Sequence, residues 1–407
     1  MLLKAFYRGL CILATPFFFL LAWYFCRRNR DVFLQRRGIA TVARPKGSVV
    51  WIHGASRGEL MALKALYQKI KELNPSLSFL ITTSSPASGD FVAKFFPGAI
   101  HQYLPLDHPF YIQSFLDHWQ PNLVLWLECD FWPITLWAME QRHIKVLLLN
   151  ARVSKTPFFT SILPCFQKIF VNHPSELAFF PQDRSCFQGN LKYTVAPLAY
   201  DPEQLAQWQE ALVGRPMFLA ASTHKGEEAM VLSAHQRLKE EFPNLLTVVV
   251  PRHPARALDV LHQMEAGSSP FLYSAGMLPA EDQDMLVVDA FGVLGLFYAL
   301  APFTFLGGSL VKVGGHTLIE PALLKCAVAT GPYVFNNQGI YDDFKAKDAV
   351  LWVSSPADLA SQIRTLLLEP WTVQVLQERA YGVVAEQLGA ETLSSQIIAE
   401  IQGVLTP

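Results

Sequence analysis

Val49-Val50-Trp51-Ile52-His53-Gly54-Ala55-Ser56-Arg57-Gly58-Glu59-Leu60 is the stretch on which the fold of this chain turns. The apolar run Val49 to Ile52 reads as a buried strand. It empties into small residues and glycine, and a helical pattern follows at once through Leu60, Leu63, Ala65, Leu66, Ile70 and Leu73. A strand–loop–helix of this kind sets loop side chains at the carboxyl edge of a parallel sheet, where open α/β folds bind ligands. Ser56, Arg57 and Gly58 fall in that loop, and Glu59 falls in the first helical turn. Taken locally, Glu59 is an ordinary carboxylate at the positive end of a helix dipole. Any other role has to come from the rest of the chain.

At 407 residues the chain is too long for one ordinary core, so two domains are expected. A hydrophobic content of 51% with 16% charged residues excludes disorder. The net charge of −1 provides no pull toward nucleic acid. Cys11, Cys26, Cys129, Cys165, Cys186 and Cys326 are scattered, with neither a C-x-x-C pair nor a Cys/His ligand spacing. That pattern argues against a disulfide framework or a zinc site and fits a reducing compartment.

The N-terminus departs from this globular picture. Gly9 to Phe25 carries no charge, is rich in Leu, Phe and other aromatics, and is followed by Arg27, Arg28, Arg30, Arg36 and Arg37. No small-residue cleavage site follows the apolar core. The expectation is an uncleaved membrane anchor over residues 1–30, with the arginines and the globular body on the cytoplasmic face of the inner membrane. The run is close to the lower limit of about 17 residues for a spanning helix, and Pro16 interrupts it. Spanning and lying in the interface therefore both stay open.

From residue 47 onward, strand-like and helix-like segments alternate. The predicted strands are 49–52, 77–83, 122–127 and 145–150, then 217–223, 245–252, 271–273, 285–289, 303–307, 327–331 and 349–353. Repeated βα alternation predicts a doubly wound parallel sheet in each half. Asp201 to Val213 reads as a polar connecting helix, and Trp371 to Val404 as an amphipathic helical tail.

The loops richest in chemistry end the strands of the second half. Pro251-Arg252-His253-Pro254-Ala255-Arg256 packs two fixed cations and an imidazole into one turn, and arginine suits a bidentate grip on phosphate or carboxylate. Gly307-Gly308-Ser309 and Gly314-Gly315-His316-Thr317-Leu318-Ile319-Glu320-Pro321 form a glycine-rich loop opening a helix, where backbone N–H groups and the helix dipole favour an anion. Glu320 is placed to accept hydrogen bonds from ribose hydroxyls. The Ser222 and Thr223 hydroxyls and the His224 imidazole either face a phosphate, or Ser222 and Thr223 simply cap the helix starting near Gly226.

Together these segments resemble the 3-deoxy-D-manno-octulosonic acid (Kdo) transferases of lipopolysaccharide inner-core synthesis. The resemblance is carried by Trp51 to Glu59, Tyr103 to Asp107, Glu128 to Pro133, Asn150 to Ser154, Gly189 to Lys192, Ser222 to Glu228, Pro251 to Arg256, Asp289 to Leu294 and Gly307 to Pro321, in family order over nearly the whole chain. It implies a GT-B fold, two Rossmann-like domains facing a central cleft: an acceptor domain over 31–197 and a donor domain over 198–407, whose last helix could cross back. It implies CMP-Kdo as donor, a lipid A precursor (lipid IVA) in the membrane as acceptor, and neither metal nor cofactor beyond the donor. By position, Glu59 matches the catalytic base, and Asp130 and Lys192 match transition-state stabilisers. Pro251, Arg252, Gly292, Val293, Leu294, Thr317, Leu318, Ile319 and Glu320 match CMP-binding loops, beside which Ser222, Thr223, His253, Arg256, Gly315 and His316 complete the expected donor site. Ser56, Arg57 and Gly58 form the acceptor side.

Three positions depart from the family pattern: Val293 stands where Glu is usual, Asp130 where Glu is more frequent, and Thr317 where Asn is common. A UDP-sugar transferase or epimerase is the nearest alternative. A tethered homologue that binds without turnover, suggested by Val293, is another.

Overall fold

The computed structural model describes residues 2–26, 29–84, 89–388 and 391–405. It divides into two compact units, Met1–Val195 with Ala390–Pro407, and Ala196–Gly389. Each is built on one seven-stranded sheet in which every pairing is parallel.

The first sheet contains β1 (Val49–His53), β2 (Ser78–Thr83), β3 (Ile100–Tyr103), β4 (Leu123–Leu127), β5 (Lys145–Ala151), β6 (Lys168–Val171) and β7 (Ser185–Phe187), in the order β3-β2-β1-β4-β5-β6-β7. β1 lies between β2 and β4, with Ile52 beside Ile81 on one flank and Leu125 on the other. Alternation along β1 serves two cores. Val49 and Trp51 face one that includes Trp126 and Leu148; Val50 and Ile52 face another that includes Leu63, Leu125 and Leu147. Both faces are buried, which is why β1 reads as a continuous apolar run. The final helix, Glu391–Leu405, belongs to this unit and adds Ile397, Ile398 and Ile401 to the second core.

The second sheet contains β8 (Met217–Thr223), β9 (Leu246–Pro251), β10 (Pro270–Leu272), β11 (Met285–Val287), β12 (Phe303–Leu306), β13 (Ala327–Thr330) and β14 (Leu351–Trp352), in the order β10-β11-β9-β8-β12-β13-β14. In each sheet the strand order reverses beside the first strand, between β1 and β4 and between β8 and β12. Ligands of open α/β sheets bind at the carboxyl ends of strands at such points. The loops singled out in the sequence leave these strands.

Of the two anchor readings left open for the N-terminal segment, the structure does not support spanning. The segment forms two 12-residue helices, Leu2–Leu13 and Thr15–Cys26. Pro16 has no N–H to give to Ile12, and the Thr15 hydroxyl donates to the Ile12 carbonyl in its place. Each helix is about 18 Å long, against about 30 Å of bilayer hydrocarbon. Among the described residues no helix is long and apolar enough to cross a membrane. The helices dock through Tyr7, Cys11 and Phe18 on the first core. Arg36 is likewise structural: its guanidinium donates to the Leu104 and Ser84 carbonyls.

Gly307, just after β12, shows how closely the second switch point is packed. A Cβ there would lie 2.6 Å from the Ser222 carbonyl oxygen and 2.7 Å from the Thr223 Cα. Backbone cannot step aside as a side chain can, so Gly307→Ala should destabilise the protein by about 1–3 kcal/mol. Thermal unfolding measures this, and an unchanged melting temperature would contradict the packing.

Candidate functional site

In the first unit the site grows from the exits of β1 and β4. Ser56 caps the helix Arg57–Leu73, its Oγ accepting from the Glu59 N–H at 3.3 Å. The Glu59 carboxylate folds back, accepting the Ala55 N–H at 2.8 Å and the Ser56 hydroxyl at 3.0 Å. This is a variant of the capping box, in which the carboxylate takes the N–H of the residue before the cap, and it is consistent with an ordinary helix-start carboxylate. Its electrostatics are less ordinary. Burial first, and then the charge of Glu128, raise the Glu59 pKa to about 7 against the pull of those two hydrogen bonds. A carboxylate poised near neutrality has the basicity a general base needs. Arg57 and Gly58 are exposed, and the Arg57 guanidinium lies over the Phe91 ring at 5.9 Å.

Glu128, absent from the sequence-derived site, is the group that completes it. It is 4% exposed, follows β4 directly, and has a left-handed φ of 55°. Its carboxylate pairs with Lys192 Nζ at 2.7 Å and Arg152 Nε at 3.4 Å. Lys192 is delivered by a 3₁₀ turn, Leu191–Thr194, whose first N–H groups are fixed by the Asn150 and Asn190 side chains.

Asp130 does something else. Its Oδ2 accepts from His53 Nε2 at 3.2 Å, Ser84 Oγ at 3.2 Å and Trp132 Nε1 at 3.0 Å. Burial pushes its pKa up, but these hydrogen bonds and the His53 charge outweigh burial and hold it below the usual range. The fully buried His53 is braced from behind by Thr82 at 2.9 Å. Asp130 and Lys192, both expected as transition-state stabilisers, thus have different partners: Lys192 pairs with Glu128, and the intervening turn aims Asp130 at His53. The available signal was two carboxylates flanking Cys129 directly after an apolar strand.

In the second unit, β8, β9 and β12 deliver the expected donor-site residues. The Arg252 N–H bonds the Thr223 carbonyl, joining the β8 and β9 exits. Arg252 and His253 are exposed. His224 Nε2 and His316 Nε2 are 2.9 Å apart. Glu320 is raised by burial, with Arg252 pulling the other way.

Other expected roles change. Thr223 is fully buried and belongs to the core, and neither it nor Ser222 caps the following helix, which starts after Gly226 at φ 102°. Arg256 Nη1 is held by the buried Glu228 at 2.9 Å. The Gly307 to Ser309 loop is no open phosphate cradle. The fully buried Glu227 carboxylate accepts the N–H groups of His224 (3.0 Å), Gly308 (2.7 Å), Ser309 (3.0 Å) and Leu310 (2.9 Å). An internal anion already occupies the place the glycines promised. The helix after Gly315 starts only at Ile319 and runs five residues, so its dipole is slight. Gly292 (φ 83°), Val293 and Leu294 open a separate helix, Leu294–Leu300, whose buried Tyr298 senses the Glu320 charge. Among the described residues no group of three His, Cys, Asp or Glu is placed to hold a metal ion.

Paired parallel sheets carrying a poised carboxylate at one switch point and a cationic, imidazole-rich one at the other define a GT-B-like glycosyltransferase. The comparisons agree. A family model for 3-deoxy-D-manno-octulosonic-acid transferase (kdotransferase) matches residues 31–194. The chain is 33% identical to the 3-deoxy-D-manno-octulosonic acid transferase of Haemophilus influenzae across 89% of this chain and 90% of that one. It is 33% identical to the Rickettsia felis protein of the same description, across 79% and 72%. Among solved structures, a glycosyltransferase from Rickettsia africae superposes with a TM-score of 0.61 at 14% identity, over 89% of this chain and 100% of that one. The UDP-GlcNAc 2-epimerase from Neisseria meningitidis gives 0.58 at 14%, over 88% and 100%. These two likenesses show the fold. The chain belongs to the 3-deoxy-D-manno-octulosonic acid transferase family.

Breaking a buried ion pair from one side leaves an uncompensated charge. Lys192→Met leaves Glu128 only its longer contact with Arg152 and should destabilise the first unit by about 1–3 kcal/mol, and adding Glu128→Gln should recover most of that loss. Glu128→Gln alone should also lower the Glu59 pKa, read by side-chain NMR titration. Strictly additive losses in the double variant would refute the pairing.

Proposed function

We propose that this transferase moves Kdo from CMP-Kdo to the lipid A precursor lipid IVA, by direct displacement of CMP with inversion at the anomeric carbon. The observation that carries the reading is Glu59, a carboxyl raised to about 7 next to the ion-paired Glu128. The acceptor is an alcohol, whose proton must leave as the C–O bond forms, and Glu59 is the base that takes it. Lys192 balances negative charge around that carboxylate. In the second unit, Arg252, His253 and the His224–His316 pair meet the donor's phosphodiester and carboxylate, and Glu320 meets the ribose. Those cations support departure of CMP without a metal. Val293 contributes no side-chain hydrogen bond, so the Gly292 to Leu294 segment acts through its backbone.

Glu59→Gln should lose Kdo transfer, scored by mass with lipid IVA and a CMP-Kdo generating system, by about 10²–10⁴-fold. It should still be stabilised against heat by CMP and not by UDP. Undiminished turnover would remove the base assignment; stabilisation by UDP alone would favour the UDP-sugar reading. In the wild type, turnover should rise with pH through about 7 as Glu59 ionises. The stability sign is opposite. With a folded value above the ordinary carboxyl range, ionisation costs stability that is present at low pH and lost as pH rises through about 7. Glu59→Gln should thus be the more stable protein at pH 8, by about 1–2 kcal/mol after screening, and gain nothing at pH 4.

We further propose that the N-terminal helices lie in the interface of the inner membrane, holding the body on its cytoplasmic face beside a bilayer-resident acceptor. Supporting this, their undocked side exposes Phe6 (71%), Leu13 (82%), Phe17 (61%) and Leu20 (60%). Phe17→Glu with Leu20→Glu should abolish co-sedimentation with anionic lipid vesicles. Unaltered pelleting would refute interfacial binding.

A further inference from the structure

The imidazoles of His224 and His316 meet end to end. Their planes differ by 14°, their centroids are 5.2 Å apart and their Nε2 atoms 2.9 Å apart. This is an in-line hydrogen bond between near-coplanar rings, not a face-to-face stack. One Nε2 must carry a hydrogen and the other must accept it, so the pair can be neutral or singly protonated without losing the bond. Adding one proton to an outer Nδ1 makes it an imidazolium–imidazole bond, which is charge-assisted and stronger. A second proton breaks it.

The surroundings hold both rings in place. Glu227 Oε2 accepts the N–H of His224 and also that of Gly308. Gly308, at φ 69°, lies under both rings: a Cβ there would be 3.2 Å from His316 Nε2 and 3.3 Å from His224 Cδ2. The Gly308 carbonyl accepts the Gly315 N–H, and the His316 carbonyl accepts the Tyr341 hydroxyl. This much scaffolding for a ring-to-ring contact implies a use for it.

The charges facing the pair come from three elements. Glu227 and Glu228 follow β8, with Glu228 already paired to Arg256. Arg252 and His253 follow β9, the His253 ring 6.3 Å from that of His224. Glu320 lies on the helix after His316; burial raises its pKa and Arg252 opposes that rise. Burial, then Arg252, His224 and His253, lower the His316 pKa to about 3. Burial also lowers His224, although Glu227 opposes it. Burial first, and Arg252 after it, disfavour charge on the pair, and an anion arriving at Arg252 offsets the second of these.

We propose that His224 and His316 act as one proton-accepting anion site, which takes up a proton from solvent when a cytidine phosphodiester binds. The proton goes to an outer Nδ1, the Nε2–Nε2 bond persists, and the pair becomes a cation facing the ligand's phosphate. His224 is thereby a binding residue alongside His316, and the reading rests on the donor-site assignment above.

The test is calorimetric titration of the full-length protein with cytidine 5′-(methyl phosphate), a diester whose phosphate does not itself titrate near neutrality. At pH 7.5, in buffers of different ionisation enthalpy, the apparent binding enthalpy should report uptake of about half to one proton. Affinity should fall as pH rises, by up to about tenfold per pH unit at full uptake. His224→Gln and His316→Gln should each bring uptake to zero and weaken binding, while His253→Gln should retain it. Wild-type binding with no buffer dependence overturns the proposal and leaves the donor site standing, as does uptake that survives in both variants. Failure of the diester and of CMP to bind would instead remove the donor-site reading, and this inference with it.

Discussion

A carboxylate taken out of water must be matched by cations or by hydrogen-bond donors, and this chain buries one at the switch point of each sheet. Glu227, after β8, is matched by four backbone N–H groups, and its charge still acts on the neighbouring His224. It ties the β8 exit to the glycine loop and fixes the backbone of His224. Glu128, after β4, is matched by two side-chain cations, at 2.7 Å and 3.4 Å. Its field still reaches Glu59 and raises it. The same chemical group is thus a structural rivet in one unit and a regulator of basicity in the other.

The sheets were legible because strands buried on both faces are continuous apolar runs bounded by loop residues. The β1, β4, β5, β8 and β9 segments fall within about a residue or two of where periodicity places them. β3, β6 and β7 were not anticipated. They have three or four residues each and begin on Ile100, Lys168 and Ser185, too short for alternation to be distinguished from loop. The N-terminal helices mislead for a different reason. An apolar run signals burial in lipid or protein alike, and the break at Ala14, with docking by Tyr7 and Phe18, is tertiary information.

Site residues were legible by position and less so by partner. Glu59, Lys192, Arg252 and His316 lie where loop chemistry and family order place them. Two assignments turn on local geometry that no spacing discloses. The left-handed turn at Glu128 gives two carboxylates two residues apart different partners, and the inward swing of Glu227 fills a glycine loop that reads as a phosphate cradle. Glycines there serve close backbone approach, as Gly307 does against Ser222 and Thr223.

A fixed cation and a ligand-induced one do different work in a transfer reaction. When the glycosyl bond breaks, the phosphate passes from diester to monoester and gains negative charge. Arg252 supplies positive charge that is present before, during and after, so it binds donor and product alike and cannot by itself favour the step between them. A histidine pair that charges only when an anion arrives answers the growth of charge and returns its proton when CMP departs. Under the proposed mechanism its need for an available proton opposes that of Glu59, which as base must have lost one. The first requirement weakens binding as pH rises and the second strengthens turnover, so under this proposal transfer falls in a window around neutrality. Burial sets both edges, lowering the imidazoles and raising the carboxyl.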